Sequence, residues 1–560
     1  MAGDSTARRG RRVRDRLPVR LRHHWRPATA LGVGLAAMVY FLGDVRISPY
    51  VTSASRAEAD PITENVRGGV GLYDTSVSHS VHLTYDQTEF NKMMKEFRDD
   101  GTKEYIKADL TIDGVYLEDV GIRLKGNSTL MSLRGDKGMS NIPQGAPAGA
   151  GGGDGGRSAG GGPGAGGGAL AGLIQYNLSE KKPEELPWLV KIDEYVEGRA
   201  YQGEREISLR PGSNGRVPVN EALSLSLADT SGQKAERYSF TSLKVNNGQA
   251  ATRMMVESPD VDYAEDIGDG NGVLYKAKAG GSFSYRGDDP TDYETSFKQL
   301  NKKGSQDLEP VMELIKWANS ASDKEFARDL DKYMDVDSLA NYVATQNLLL
   351  NFDDMAGPGK NYLLWYDLDT KKFSVLGWDY NGTFLGDATV GPDDSLDLAG
   401  LLGAGPATGK GDASASQPAP AAPSGAPQGM PSGMPQGMPE GMPQGMPGGA
   451  AAGPGSDPGG SPGTSRPGGQ GPGGEGFMGH VLKTKFLDSD AFDGVYKKAY
   501  RTQYEKFYKS KAAAEGLQNI ADQARAAGAG SKELDTAVAK LQKTITERTA
   551  ALAKDKQVLG

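Results

Sequence analysis

Three observations predict an α+β protein with an N-terminal membrane anchor and Gly/Pro-rich insertions. Strand-like alternation and helical apolar spacing follow one another through the body of the chain. Residues 28–43 (ATALGVGLAAMVYFLG) are uncharged and mostly apolar, directly behind a leader with nine arginines against Asp4 and Asp15. Two long blocks are low-complexity: residues 136–172 are so rich in Gly, Ala and Pro that they hold almost no apolar side chains to bury, and in residues 396–476 periodic Pro and Gly forbid helix and sheet alike.

Residues 1–27 read as a basic cytoplasmic tail and residues 28–43 as a transmembrane signal anchor. At about 1.5 Å rise per residue the apolar run is slightly short for a bilayer core of about 30 Å. The arginines stay inside, which puts everything after about residue 45 outside. A cleaved signal peptide is the competing reading, with residues 52–54 as a small-residue cleavage pattern.

From about residue 70 the chain reads as folded. Residues 81–85 (VHLTY) alternate as a strand, and residues 86–99 place Phe90, Met93, Met94 and Phe97 on one helical face. Residues 105–124 form a meander that turns at Asp113-Gly114. After the first block, residues 188–195 and 205–209 read as strands and 220–228 as a helix. Residues 240–245 and 250–257 form a hairpin about Asn246-Asn247-Gly248, since Asn-Gly is a strong hairpin signal. The Asp-rich residues 266–272 resemble a calcium loop but lack its downstream Glu, so a simple turn is expected. A strand at 273–276 and amphipathic helices at 307–318 and 336–350 follow. Residues 477–560 are helical, with heptad-like apolar spacing from Lys532 that suggests a terminal helix or short coiled coil. The expected division is a domain over 70–510, interrupted by the two blocks, and a helical tail over 511–560.

The whole chain carries −9; the leader's surplus of seven positive charges leaves −16 for the remainder. An acidic body argues against a nucleic-acid partner. With no cysteine, disulfides, thiolate zinc sites, Fe–S clusters and cysteine nucleophiles are excluded. Of five histidines, His23 and His24 lie in the leader, so a multi-His metal site is not expected. Glycine and proline number 78 and 31; setting the blocks and leader aside leaves roughly 350 residues, enough for one or two domains.

The chemistry concentrates in residues 351–387, NFDDMAGPGKNYLLWYDLDTKKFSVLGWDYNGTFLGD. Asp353 and Asp354 sit in a Gly/Pro loop, Asn361 follows it, and Asp379 comes just past a second strand. Carboxylates on loops joined by a hairpin can converge on one divalent cation and one reacting hydroxyl; hard oxygen donors suit Mg²⁺ or Mn²⁺. The same residues also read as ordinary turn formers. Gly126-Asn127-Ser128 can offer N–H groups and a hydroxyl to phosphate, or form a plain turn. Lys191 inside WLVKI and Lys276 at the end of VLYK are unusual strand lysines; an edge-strand lysine facing solvent is the alternative. Glu257 ends a strand and has no unique reading. The repeats around Met434, Met438, Met442 and Met446 can bind a soft metal such as Cu(I), but a low-complexity insert is the preferred reading.

Several of these motifs occur together in one family's order. GIRLKGNST (121–129), PWLVKID (187–193), the Asn-Asn-Gly hairpin ending at Glu257, GNGVLYK (270–276), NFDDMAGPGKNYLLWYD (351–367), LGWDYNGTFLG (376–386) and FLDSDAFDGVYKKAY (486–500) make up the set. In these motifs the chain resembles the CotH family, the spore-coat-H-like atypical protein kinases, over about residues 75–510. The resemblance implies an atypical protein-kinase-like fold and Mg²⁺- or Mn²⁺-dependent phosphoryl transfer from ATP to Ser/Thr of exported or cell-envelope proteins. It implies Asp353 as the catalytic carboxylate, with Asp354 the neighbouring alternative, and Asp379 as the metal ligand assisted by Asn361. It places Arg123, Asn127 and Ser128 in the phosphate-covering segment, Lys191 or Lys276 as the phosphate lysine, and Glu257 on the adenine side. Asn381 stands where the family pattern has a second metal-site Asp. A catalytically silent coat or surface protein is the alternative.

Overall fold

The computed structural model describes residues 61–126, 128–134, 176–212, 216–394, 396 and 479–559. The expected anchor at 28–43 lies outside the described residues, as do Asn127 and nearly all of both Gly-rich blocks. Among the described residues no helix is long and apolar enough to cross a membrane. Residues 302–306 group separately and form a turn in which the Gln306 N–H donates to the Lys302 carbonyl.

The strands are β1 (Glu64–Val66), β2 (His79–Tyr85), β3 (Ile106–Ile112), β4 (Val115–Leu124), β5 (Trp188–Lys191), β6 (Arg199–Tyr201), β7 (Glu206–Leu209), β8 (Tyr238–Val245), β9 (Ala251–Glu257), β10 (Gly272–Ala277), β11 (Phe297–Gln299), β12 (Tyr362–Asp367) and β13 (Phe373–Gly377). The helices are α1 (Gln87–Asp100), α2 (Val219–Thr230), α3 (Val261–Glu265), α4 (Glu309–Ser320), α5 (Asp323–Tyr333), α6 (Val336–Leu348), α7 (Val481–Leu487), α8 (Asp493–Tyr504), α9 (Ala512–Ala526), α10 (Ser531–Leu552) and α11 (Lys556–Leu559). The α+β expectation holds.

Seven strands close a barrel in the order β2-β3-β4-β5-β7-β9-β8. Parallel pairing of β2 with β8, His79 opposite Thr241, completes it; the other neighbours are antiparallel. The β3–β4 turn uses Asp113 and Gly114 at φ 49° and 85°, the positive-φ pair that a tight hairpin needs. β2 alternates buried and exposed residues along its length, as a strand with one buried face must. Helix α1 is capped by Asp86, whose side chain accepts from the Thr88 and Glu89 N–H groups, and it buries Phe90, Met93, Met94 and Phe97. These join Leu83, Ile122 and Trp188 in the barrel core.

A second, four-stranded sheet runs β11-β10-β12-β13. It packs with α2, α4–α6 and α8–α10 in the largest core, which includes Leu223, Tyr275, Leu339, Tyr362, Tyr500 and Leu517. Helix α2 is buried nearly all round, which is why it shows little amphipathic contrast. The C-terminal tail expected from residue 511 enters this same core through Leu517, Ile520, Leu534, Leu541, Ile545 and Leu552. Arg548, wholly buried on α10, donates to the Asn347 carbonyl and side-chain oxygen at 2.9 Å each and to Tyr500 Oη at 3.1 Å.

Two local expectations differ from the structure. The strand expected over 188–195 stops at Lys191, and the chain turns until Gly198 at φ 74°. Helix α5 was not anticipated. Its signature is legible in retrospect: Ser322 caps it, Glu325 returns the bond to the Ser322 N–H, and Phe326 and Leu330 are the buried pair.

Candidate functional site

Helix α6 delivers the loop that carries Asp353. The Asn351 N–H bonds back to the Gln346 carbonyl. The Asn351 side chain donates to Gln346 Oε1 at 2.8 Å and accepts the Asp353 N–H at 3.1 Å. The Asp353 carboxylate in turn accepts from the Gly359 N–H and from Asn361 Nδ2, the latter at 2.9 Å. A Cβ on Gly359 would lie 2.5 Å from Asp353 Oδ2, so the tight wrap of the loop around the carboxylate needs glycine there. Gly382 backs the turn after β13 onto Asp353, where a Cβ would come within 3.2 Å of the Asp353 Cβ. Burial pushes the Asp353 carboxyl up to about 7, with Asp379 and Asp354 adding to the rise and the Gly359 N–H and Asn361 opposing it.

Asp354 is held differently. It is buried and ion-paired to Lys483 of α7, and it accepts the Ala356 N–H at 2.8 Å. Its charge is neutralised inside the protein, whereas Asp353 carries no cation in its hydrogen-bond set. Nearby, Lys360 Nζ donates to the Gly479 carbonyl at 2.8 Å, and the Gly479 N–H to the Ala356 carbonyl, which ties the start of α7 to the loop.

Asp379 leaves β13 with φ 55° and ψ 72°, a left-handed conformation that costs a non-glycine residue about 1 kcal/mol. Its Oδ1 is buried and has no hydrogen-bond partner among the described residues. Arg210 Nη2 stands 3.6 Å away and also pairs with Glu221 of α2. Three cations gather around the neighbouring Trp378 ring: Lys276 Nζ at 3.5 Å from its centroid, Lys125 Nζ at 5.6 Å and the Arg210 guanidinium at 5.8 Å. Burial, and then Lys125, push the Lys276 ammonium down to about 7. Burial, and then Arg210, push Lys125 down to about 8. Like charges crowded in a shielded place lose protons readily unless an anion joins them.

The residues expected from the sequence divide between this cluster and other places. Asp353, Asn361, Asp379 and Lys276 fall in or beside it, and Asp354 supports it from behind. Lys191 lies elsewhere, donating to Glu194 at 2.8 Å with Asp193 at 3.8 Å. Arg123 sits over the Tyr105 ring at 5.1 Å and donates to the Leu124 carbonyl. Glu257 is buried and paired with Arg237. The carbonyl of Asn381 accepts from Asn220 Nδ2 at 2.9 Å, and the residue lines a cavity of about 240 Å³ with Tyr176, Arg216 and Lys540. Ser128 opens a 3₁₀ turn, Ser128–Leu133, and Asn127 lies outside the described residues.

Sequence reasoning did not single out Lys125, Arg210, Glu221 or Lys483. Lys125 stands inside the quoted GIRLKGNST, where a lysine beside a glycine at a strand end was the available signal. The pairings of Arg210 with Asp379 and of Lys483 with Asp354 join residues far apart in the chain and leave no local pattern.

Among the described residues no three imidazole or carboxylate groups gather as a protein-only metal cluster. One orphaned carboxylate oxygen beside a second carboxylate and an amide still fits a hard cation that shares its ligands with a bound phosphate. Residues 177–421 match the family described as CotH kinase protein. Over that span the chain is similar to the CotH family. The matched span includes Arg210, Glu221, Lys276, Asp353, Asn361 and Asp379, and leaves Lys125 and Lys483 outside. The chain is also 24% identical over 195 residues to Inner spore coat protein H of Bacillus subtilis (strain 168). That stretch is 34% of this chain and 53% of the relative, so the chain spans about half the length of the curated protein it matches.

Proposed function

We propose that this CotH-like chain has a protein-kinase-like fold and transfers the γ-phosphoryl group of ATP to a Ser or Thr hydroxyl of exported or cell-envelope proteins. The observation that carries the reading is the hydrogen bond of Asn361 to Asp353, with Asp379 as a charged neighbour, beside three cations, Lys125, Arg210 and Lys276, gathered on the Trp378 ring. The Arg210–Glu221 pair, made between the end of β7 and helix α2, resembles the strand-cation and helix-Glu pair that kinases need in place.

In this reading the three cations receive the triphosphate, and its charge restores the proton affinity that burial takes from Lys276 and Lys125. Asp379, through its unpaired Oδ1, and Asn361 are the residues that would hold Mg²⁺ or Mn²⁺, which neutralises charge on the phosphates when bound. Asn381, whose carbonyl accepts from Asn220, is a third candidate for that set. Asp353, fixed by the Gly359 N–H and Asn361, has lone pairs left for the acceptor hydroxyl. As the hydroxyl oxygen bonds to the γ-phosphorus, its proton passes to Asp353, the bond to the β-phosphate oxygen breaks, and ADP leaves. A carboxyl titrating near 7 is well matched to taking that proton at neutral pH.

Incubation with γ-labelled ATP and Mn²⁺, followed by detection of labelled protein, tests transfer; Asp353→Asn should abolish it. A thermal shift with ATP and Mn²⁺ that vanishes in Asp379→Ala tests binding. A shift without any transfer would favour a second reading, a nucleotide-binding but silent coat or surface protein. The name of the Bacillus relative is the observation that recommends this alternative, and it also motivates an envelope location. The N-terminal anchor belongs to the same proposal, and protease accessibility of the body on intact cells tests it.

A further inference from the structure

A cavity of about 240 Å³ opens between the approach to α2, the turn after Asp379 and helix α10. Its lining changes with depth. Val219, Phe384 and Leu541 are buried, whereas Arg216, ahead of α2, and Lys540, on α10, are exposed. Apolar surface therefore fills the depth and two cations stand at the mouth. No carboxylate is among the described residues that line it. Neither Arg216 nor Lys540 has an ion-pair partner among the described residues, although the chain as a whole carries −9.

Size and charge define what fits. A cavity of about 150 Å³ takes benzene, so about 240 Å³ takes one ring with a phosphate attached. A phosphate monoester carries about two negative charges at neutral pH, which matches the two cations, and the guanidinium fork suits phosphate oxygens. Tyr176 adds a phenol to the lining. Burial first, and then Glu221 and Asp379, hold that phenol well above its ordinary range, so at neutral pH it is a hydrogen-bond donor.

The walls belong to the scaffold of the candidate site. Asn220, in the first turn of α2, donates from Nδ2 to the Asn381 carbonyl at 2.9 Å and to the Thr383 carbonyl at 3.3 Å. One turn on, Ser224 donates to Thr383 Oγ1 at 2.8 Å. The residue after Asn220 is Glu221, which holds Arg210 beside Asp379. Gly382, between the two accepting residues, backs onto Asp353. Arg216 and Lys540 repel each other across the cavity, and an anion between them draws the start of α2 toward α10. Helix α10 is itself fixed in the core by Leu541, Ile545 and Arg548.

We propose that this cavity binds a small phosphate monoester with an apolar body, held between Arg216 and Lys540, and that its occupancy steadies α2 and so strengthens Mg-ATP binding beside Arg210, Glu221 and Asp379. The second half rests on the kinase reading; the ligand site does not.

Phenyl phosphate is the probe for the site. Calorimetry on the full chain should give one site with a Kd of about 5 mM or tighter, as expected for about eleven non-hydrogen atoms; no binding at that level overturns the site. Arg216→Ala and Lys540→Ala should each weaken it by about fivefold or more. Ala537→Phe, which adds a ring to the α10 wall, should abolish it, and melting temperatures check that the variants fold. Lys276→Met should leave probe binding unchanged. Binding lost in Lys276→Met but kept in Arg216→Ala would place the probe on the three-cation cluster and overturn the site. Inorganic phosphate and benzyl alcohol should each bind about tenfold weaker or worse; equal binding of either overturns the ligand class. A capped Gly-phosphotyrosine-Gly peptide should bind no tighter than phenyl phosphate. A gain of about tenfold would assign the cavity to a protein's phosphotyrosine and overturn the small-molecule ligand.

Saturating phenyl phosphate should raise Mg-ATP affinity about fivefold, and Mg-ATP should raise the affinity of the probe by the same factor, because coupling is reciprocal. The gain should vanish in Arg216→Ala, whose Mg-ATP affinity without probe should match wild type. Unchanged or lowered Mg-ATP affinity overturns the coupling. Probe binding in a wild-type protein that binds no Mg-ATP would support the ligand site and overturn the kinase reading.

Discussion

Replacing Asp353 with Asn should change how stability depends on pH, and the size of the change follows from the site. Asp353 has an ordinary carboxyl value of 3.8 when unfolded and is held up to about 7 when folded, by burial first and then by Asp379 and Asp354. Folding therefore favours its protonated form. Its contribution to stability is fully present below pH 4 and is lost as pH rises toward 7. Between pH 5 and pH 8 the loss attributable to this one group is on the order of 2–3 kcal/mol. Asparagine does not titrate, so the variant should lose about that much less over the same interval. The comparison must be of slopes. One amide NH₂ in the variant will face either Asn361 Nδ2 or the Gly359 N–H, which costs stability at every pH. Urea unfolding of both proteins at pH 5, 6, 7 and 8, with a chelator present, measures the difference. The other raised carboxyls, Asp193, Glu204, Glu221, Glu236, Asp260, Asp262 and Glu313, are present in both proteins and cancel. Parallel slopes would falsify the assignment of Asp353 as a shielded carboxyl near neutrality, and with it the case for Asp353 as the base. If transfer is detected, the rate should rise through pH 7 with the same group, and Asp353→Asn should lower it by about a thousandfold.

Lys276→Met should weaken Mg-ATP binding at least tenfold by calorimetry while Lys191→Met leaves it unchanged; the reverse result would return the phosphate role to Lys191. Lys483→Met leaves Asp354 buried without its cation and should cost about 3–5 kcal/mol in urea unfolding, with part restored by adding Asp354→Asn. Arg548→Met removes the donors to Asn347, Leu348 and Tyr500, and should lower the melting temperature by about 10 °C; a shift near zero would mean that α10 is an accessory tail. Asp86→Ala removes the cap of α1 and should cost about 1 kcal/mol by the same assay, with nucleotide binding untouched.

Much of the fold was legible along the chain because its signals are local. The Asp86 cap, the Asp113-Gly114 and Asn-Asn-Gly turns, and the apolar face of α1 each lie within a few residues of what they specify. Helix α2 was expected over 220–228 and runs Val219–Thr230, but its burial on every side left no period to show which face is covered. Helix α5 carried a capping box that went unused. The ends of elements depended on distant contacts, so β5 stopped four residues before the expected boundary at 195. The parallel β2–β8 pairing that closes the barrel joins residues some 160 positions apart and has no sequence signature.

The candidate site shows the same division. Asp353, Asn361 and Asp379 were identifiable because loop carboxylates and amides flanking a hairpin stand close in sequence, and the ordered motifs named the family. Which of Asp353 and Asp354 is free was not identifiable. That depends on Lys483, 129 residues away, which neutralises Asp354 and leaves Asp353 to its glycines and Asn361. Nor did the chain by itself choose among its lysines: Lys191 and Lys276 look alike in their strands, but one meets Glu194 and the other Trp378. Arg210 and Glu221 acquire meaning only when the barrel and α2 bring them together beside Asp379. Backbone conformation answers to near neighbours, which a sequence displays; charge pairing answers to distance in space, which only the folded chain sets.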